Sequence, residues 1–188
     1  MAVIFTHDGN QVISGSRDGT VCIWETETAR ELKRFQATNA IEGLSLAPDG
    51  NHCIIAGDGV QLWNPETSQR VRDFEGPTEW QLDVSLSGDG RRVATGGFDQ
   101  TVHVWDFETA EKIASIGQLQ AQVESVALNQ DGSRVLIALV GTPDDPLLLS
   151  VSVDDPSDRK RIVGHKATVN WVRYSDNWLH YITASRDK

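Results

Sequence analysis

The chain has 188 residues, enough for one domain with a hydrophobic core. Its 17 basic and 27 acidic residues give a formal net charge of −10, and the acidic residues are spread along the chain. A negative field of this kind repels phosphate backbones and anionic lipid headgroups, so we expect neither nucleic acid nor a membrane surface as partner. The two cysteines, Cys22 and Cys53, fall in predicted strands, where we expect buried free thiols and a reducing, cytoplasmic compartment.

A repeat of about forty residues organises the chain. Tryptophan recurs at Trp24, Trp63 and Trp105, at spacings of 39 and 42 residues. The Asp-Gly pairs that begin at positions 8, 49, 89 and 131 recur at spacings of 41, 40 and 42 residues, and each separates two alternating apolar runs. Asp-Gly in this setting is a strong hairpin signal, because glycine adopts a positive φ without steric cost. Two independent markers with one period predict a repeated hairpin unit.

Four strands fit each of the first three repeat units, and no helical periodicity competes with them. In the first unit, residues 1–35, the predicted strands are 2–5, 11–16, 20–24 and 30–35. In the second, residues 36–74, they are 43–46, 52–56, 60–63 and 69–74. In the third, residues 75–116, they are 82–86, 92–96, 101–105 and 111–116.

The last two units depart from this pattern. The fourth, residues 117–163, has strands at 124–128 and 134–139, but a proline-rich segment at 141–146 replaces the short turn, and Val153 stands where the tryptophan is expected. We expect a longer loop at 141–146. The fifth, residues 164–188, has strands at 170–174 and 181–185 only. We therefore expect four units and half of a fifth.

Three stretches carry a family resemblance. Residues 95–109 read TGGFDQTVHVWDFET, residues 14–28 read SGSRDGTVCIWETET, and residues 57–67 read GDGVQLWNPET. A strand ending in tryptophan behind an Asp-containing turn resembles the WD-repeat family of β-propellers. The resemblance implies an all-β fold of about four and a half four-stranded blades in an open or incomplete ring. It also implies a single propeller domain over residues 1–188 whose broad task is binding other proteins.

The family places a hydrogen-bonded tetrad of His, Ser or Thr, Asp and Trp in each blade, because buried polar groups are costly unless they satisfy one another. Matched position by position, the resemblance implies an incomplete tetrad in every blade that shows the motif. The implied members are Ser14, Asp18 and Trp24 in the first blade, Asp58 and Trp63 in the second, Thr95, Asp99 and Trp105 in the third, and His165, Thr183 and Asp187 in the fifth.

The hydroxyl, histidine and aspartate of the fifth blade also fit a catalytic triad. The structural tetrad explains the same three residues and their spacing, so we favour it and expect no enzyme. The five histidines show no spacing typical of metal ligands, and no glycine-rich phosphate loop is present. We expect no metal and no cofactor.

Function in this family usually resides on one face of the disc, where the loops into the first strands and the turns between second and third strands meet. Arginine and exposed aromatic residues are frequent interface anchors. The expected face residues are Arg17, Glu42, Trp80, Phe98, Gln122, Glu124, Thr168, Asn170 and Arg186.

The sequence thus favours a non-catalytic scaffold that binds a peptide or protein of unknown identity on one face. One alternative is a regulatory or sensor segment of a larger multidomain protein, for example a bacterial kinase. A remote alternative is a propeller hydrolase with central carboxylates such as Glu79 and Glu124. The unpaired strand edges of an incomplete ring also leave self-association possible.

Overall fold

A computed structural model describes residues 2–77, 79–142, 145–175 and 177–187. Within these ranges every regular element is a β-strand. No helix in the described part of the chain has the length and apolar character needed to cross a membrane. The expected all-β class is confirmed.

In the described part of the chain, eighteen strands form five antiparallel sheets, one for each repeat unit. Blade 1 contains β1 (Ala2–Phe5), β2 (Gln11–Gly15), β3 (Thr20–Glu25) and β4 (Glu31–Gln36). Blade 2 contains β5 (Ile41–Leu46), β6 (Cys53–Gly57), β7 (Val60–Asn64) and β8 (Gln69–Asp73). Blade 3 contains β9 (Gln81–Leu86), β10 (Arg92–Gly97), β11 (Val102–Asp106) and β12 (Lys112–Ile116). Blade 4 contains β13 (Val123–Leu128), β14 (Arg134–Thr142), β15 (Asp145–Ser152) and β16 (Arg159–Ile162), and the two-stranded blade 5 contains β17 (Val169–Tyr174) and β18 (Tyr181–Ser185).

Each sheet is a meander in which consecutive strands pair, because short turns connect them. The glycines of the four Asp-Gly turns have φ between +68° and +72°. An L side chain rarely adopts this conformation, which explains why glycine recurs at this point of the repeat.

The hydrophobic core lies between the sheets. Four apolar clusters fill the four junctions between consecutive blades. At two junctions a tryptophan packs on a phenylalanine of the preceding blade. The ring centroids are 5.4 Å apart for Phe35 and Trp63 and 5.8 Å apart for Phe74 and Trp105. The tryptophan that marks the repeat is therefore an inter-blade packing residue.

The first strands of the five blades lie side by side around a common centre. Contacts join β1 to β5, β5 to β9, β9 to β13, and β13 to β17. We call these five strands the inner strands. Together they line a cavity of about 640 Å³, here called the central cavity. This arrangement is that of consecutive blades of a propeller.

The expectation of a longer loop at 141–146 is wrong. Strand β14 extends to Thr142 and β15 begins at Asp145, and the backbones of these two residues still pair. The extra residues lengthen the hairpin, with a register shift between Leu139 and Thr142. Antiparallel pairing satisfies the backbone groups that an extended loop would leave to solvent. Residues 143 and 144 lie outside the described residues.

Candidate protein-interaction face

One end of every sheet carries the start of the inner strand and the turn after the second strand. Backbone hydrogen bonds fix this arrangement in three blades. The amides of Phe98, Val140 and Arg186 donate to the carbonyls of Trp80, Gln122 and Thr168, at 3.0, 3.0 and 3.1 Å. We call this end the upper face, and the opposite end, which carries the Asp-Gly turns at positions 8, 49, 89 and 131, the lower face.

The nine expected face residues all lie at or near the upper face, but their side chains differ in availability. Trp80 and Phe98 are 43% and 44% exposed, although both are large and apolar. The Arg17 guanidinium forms an ion pair with Glu42 at 2.9 Å. The Thr168 hydroxyl donates to the carbonyl of Gly141 at 3.0 Å. The other members are Gln122 and Glu124, which are half-buried, and Asn170 and Arg186, which are exposed.

The structure brings tetrad residues together in blade 5 and, in part, in blade 1. His165 Nε2 lies 2.6 Å from Thr183 Oγ1, and its Nδ1 lies 3.0 Å from Asp187 Oδ1. In blade 1 the Trp24 indole N–H donates to Ser14 Oγ at 2.8 Å.

The blade 1 aspartate stands apart from that pair. Asp18 accepts from the backbone N–H and the hydroxyl of Thr20, at 2.9 and 2.6 Å. Side-chain hydrogen bonding from Thr20, followed by its backbone N–H, lowers the pKa of Asp18. Asp18 therefore stabilises the turn and does not join Ser14 and Trp24.

The expected pair of blade 2 is not brought together. The Trp63 indole donates to Gln61 Oε1 at 2.9 Å. The Asp58 carboxylate accepts from Thr38 and, at 2.5 Å, from Asn39 Nδ2. Gln61 is close to Trp63 because residues two apart on a strand share a face. The Trp63 indole and the Asp58 carboxylate are therefore each hydrogen-bonded to a nearby side chain and not to each other.

Blade 3 contains a different network from the expected one. The Thr95 hydroxyl donates to Gln81 Oε1 at 2.8 Å, and Gln81 Nε2 donates to Asp99 Oδ2 at 3.3 Å. His103 Nε2 lies 2.8 Å from the same Asp99 oxygen. The Trp105 indole is not part of this network, since it donates to the carbonyl of Glu75 at 3.1 Å.

Gln81 thus bridges Thr95 and Asp99, and His103 contacts Asp99, in a blade that has Gly-Pro at 76–77 where the family's tetrad histidine is expected. Both side chains are buried, at 0% and 7% exposure. Sequence reasoning missed both. A signal was available in a polar glutamine opening an otherwise apolar inner strand and in a histidine between two buried valines.

A buried ion pair across three blades was also missed. Asp83 on β9 forms a bidentate pair with Arg173 on β17, with both nitrogen–oxygen distances 2.8 Å. Asp83 also accepts from Ser125 Oγ at 2.6 Å and from the backbone N–H of Val126 at 3.0 Å and of Val84 at 2.9 Å. Every lone-pair region of this carboxylate is therefore engaged.

The same pair stabilises the charged form of Arg173. Burial lowers the pKa of the guanidinium, but attraction and hydrogen bonding from Asp83 outweigh it and raise the pKa above its ordinary value. Arg173 remains charged and also lies over the Trp171 ring, 5.0 Å from its centroid. The charged residues within the apolar strands β9 and β17 were the available sequence signal.

Within the described ranges, no group of three or more His, Cys, Asp or Glu side chains is arranged to hold a metal ion. Cys22 and Cys53 are free and buried. Burial raises the pKa of the Cys53 thiol to about 12, so this thiol is neutral and unreactive at physiological pH.

The fold defines a class: a repeat protein built of antiparallel propeller blades around a common centre. The family model "WD domain, G-beta repeat" matches residues 1–25 and 68–106. The first segment spans the first three strands of blade 1, and the second runs from β8 through the first three strands of blade 3. The resemblance to the WD-repeat family is therefore confirmed over these two segments.

Two curated proteins illustrate the relationship. Transducin-like enhancer protein 2 of Mus musculus is 27% identical over 151 residues, which cover 73% of this chain and 20% of that protein. Protein groucho of Drosophila melanogaster is 23% identical over 185 residues, which cover 96% of this chain and 24% of that protein. The chain thus spans between a fifth and a quarter of the length of these relatives.

Proposed function

We propose that this chain is a non-catalytic interaction scaffold that binds a peptide or protein partner on its upper face. One observation carries the proposal: Trp80 and Phe98 are adjacent on this face and both are more than two-fifths exposed. Large aromatic side chains are the most frequent anchors of protein interfaces. The match of two segments to the WD-repeat family model supports the same general task.

The polar clusters of the chain support a scaffold more than an enzyme. His165, Thr183 and Asp187 occupy repeat positions that the family uses to hold a blade together, and each engages another member of the set. In blade 3, His103 is buried between Asp99 and the Trp105 ring, whose centroid lies 5.7 Å away. A histidine enclosed in this way has little room to approach a substrate.

We also propose one propeller domain over residues 1–188, with blade limits at 1–35, 36–74, 75–116, 117–163 and 164–188. Continuous apolar junctions between consecutive blades support one folding unit. For the compartment we propose a reducing, cytoplasmic one, supported by the two free cysteines. For the partner we propose a protein, with neither nucleic acid nor membrane, in keeping with the net charge of −10.

The test begins with affinity capture on the whole chain, followed by identification of the captured protein by mass spectrometry. The affinity of that protein is then measured for the double variant Trp80→Ala and Phe98→Ala. We expect at least about a tenfold loss, since anchor residues typically contribute more than 1.4 kcal/mol.

Leu179→Ala is the matched control, because Leu179 is 78% exposed and lies in the β17–β18 turn at the lower face. We expect this variant to bind like the parent chain. An unchanged affinity of the double variant, or a loss confined to Leu179→Ala, would rule out the upper face as the binding surface.

A further inference from the structure

The inner strands of blades 2 to 5 share a β-bulge near their upper ends. The register shifts where one residue on each strand has no partner on the second strand of its blade. The four bulged residues are Glu42, Leu82, Glu124 and Asn170, and all four line the central cavity. Bulges redirect a side chain and are frequent beside functional sites. Here they direct four side chains to the upper mouth of the cavity.

Two of the bulged residues carry carboxylates, and the two differ in their partners. Glu42 is ion-paired with Arg17, whose side chain is 77% exposed. The half-buried carboxylate of Glu124 receives no hydrogen bond or ion pair from any residue that the structure describes. A partly desolvated carboxylate without a counterion attracts a cation.

An aromatic ring stands beside Glu124. Trp171 follows the bulge of β17 and is 43% exposed at the same cavity. Ser125 Oγ, next to Glu124, accepts from the backbone N–H of Val172, next to Trp171, at 3.2 Å. The residues that directly follow Glu124 and Trp171 are thus hydrogen-bonded to each other.

The position of the Trp171 ring is fixed before any partner binds. The Arg173 guanidinium lies over one face of the ring and is itself held by Asp83. A rigid aromatic ring loses little conformational entropy on binding, which favours affinity. Trp171 is still 43% exposed with Arg173 in place, and an exposed aromatic surface attracts a planar cation.

We propose that the upper mouth of the central cavity binds an arginine side chain of the protein partner. The guanidinium pairs with the Glu124 carboxylate and stacks on the exposed face of Trp171. The Arg17–Glu42 pair shows that the equivalent bulge position in blade 2 already holds a guanidinium. The net charge of −10 steers a basic segment toward the chain. This inference rests on the proposed function, since it specifies the partner of the same face.

The experiment is an NMR titration of the whole chain with the tripeptide Ac-Ala-Arg-Ala-NH2. The Trp171 indole N–H signal is assigned by comparison with Trp171→Phe, and tripeptide is added up to about 10 mM, where millimolar affinities are visible. We expect a saturable shift of this signal. The citrulline analogue has nearly the same shape without the charge, and we expect at least about fivefold weaker binding for it.

Two glutamate variants make the test specific. Glu124→Gln is expected to weaken the arginine tripeptide about fivefold or more. Glu111→Gln removes an equal charge from an exposed position on blade 3 and is expected to leave binding unchanged. Absence of a shift, equal binding of the citrulline analogue, or full binding by Glu124→Gln would overturn the inference.

The captured partner separates this inference from the proposed function. If its binding requires Trp80 and Phe98 but is unchanged in Glu124→Gln, the upper face is the interface and the arginine site is refuted. If the tripeptide binds as expected while the captured partner ignores Trp80 and Phe98, the cation site stands and the proposed interface fails.

Discussion

The junction between the inner strands of blades 2 and 3 differs from the next two junctions, between blades 3 and 4 and between blades 4 and 5. Between blades 2 and 3 the backbone of Gly43 packs so closely that a Cβ at this position would lie 3.0 Å from Asp83 Cα and Val84 N. At the others, polar side chains cross the junction. Asp83 and Ser85 accept from the amides of Val126 and Leu128, both at 3.0 Å.

All three junctions involve the same positions of the repeat. The residue after the bulge is Gly43 in blade 2, Asp83 in blade 3, Ser125 in blade 4 and Trp171 in blade 5. An inner strand is an edge strand whose inward amides need acceptors. Between blades 2 and 3, close backbone packing holds the inner strands together. Among blades 3, 4 and 5, side chains supply the acceptors instead. The repeat therefore conserves the backbone path while its side chains differ from blade to blade, and the polar side carries the candidate site.

Removal of the Asp83 charge tests the polar side most severely. Asp83→Asn leaves the Arg173 guanidinium without its counterion in a largely buried position. We expect a loss of about 3 kcal/mol in the free energy of unfolding. This value is at the lower end of the range for breaking a buried ion pair, because the Arg173 side chain is still 29% exposed. Urea unfolding measures this loss as a shift in midpoint at constant slope.

Asp154→Asn is the control for that charge change. Asp154 pairs with Arg92 at 3.0 Å but is 62% exposed, so we expect a loss below about 1 kcal/mol. Equal losses for the two variants would show that Asp83 contributes no more than a surface ion pair.

Gly43→Ala tests the close-packed side. The added methyl group would press on the backbone of β9, and we expect a loss of about 2 kcal/mol, as is typical of overpacking. Gly59→Ala is the control, because a Cβ there meets no atom within 4 Å. Thermal or urea unfolding gives both values, and a neutral Gly43→Ala would mean that this junction yields easily.

Two serines at one repeat position sharpen the contrast. Ser85 Oγ accepts from the buried Leu128 amide at 3.0 Å, so Ser85→Ala should cost about 1 to 2 kcal/mol by leaving that amide unsatisfied. Ser45 is the equivalent residue of blade 2, and no hydrogen bond of its side chain occurs among the described residues. Ser45→Ala should therefore be nearly neutral in the same unfolding assay, and a reversed order would contradict the comparison.

The smallest expected effect concerns acid stability in blade 5. The backbone N–H of Lys166, then the hydroxyl of Ser185 and the ring of His165, lower the pKa of Asp187 from 3.8 to about 2. A folded-state pKa below the unfolded value stabilises the fold above about pH 4, and this contribution is lost as the pH falls through about 2. Protection of the Thr183 amide, relative to its intrinsic exchange rate at each pH, should fall over this range in the parent chain, and Asp187→Asn should remove that step. Identical pH profiles would contradict this role.

Much of this fold could be predicted from the sequence, because its signals are local. Asp-Gly turns, period-two alternation and the recurrent tryptophan each depend on a few neighbouring residues. The same signals did not show that β14 and β15 continue on either side of residues 143 and 144, since pairing across a long hairpin depends on the partner strand.

The candidate site was less predictable for a related reason. Asp83 and Arg173 are ninety residues apart, and their pairing depends on how far three blades rotate around the cavity. Arg17 and Glu42, by contrast, could be placed at the upper face because each lies next to a turn of the repeat. The partners of the predicted tetrad residues were less predictable, since Gln61, Gln81 and His103 compete for the same polar groups.

The upper face of blades 3 to 5 is the proposed interaction surface. Amide hydrogen exchange of the whole chain, with and without the captured partner, tests this proposal directly. We expect slower exchange at Phe98, Glu124 and Asn170, with no change at the lower-face turn glycines Gly90 and Gly132. Protection confined to the lower-face turns would contradict it.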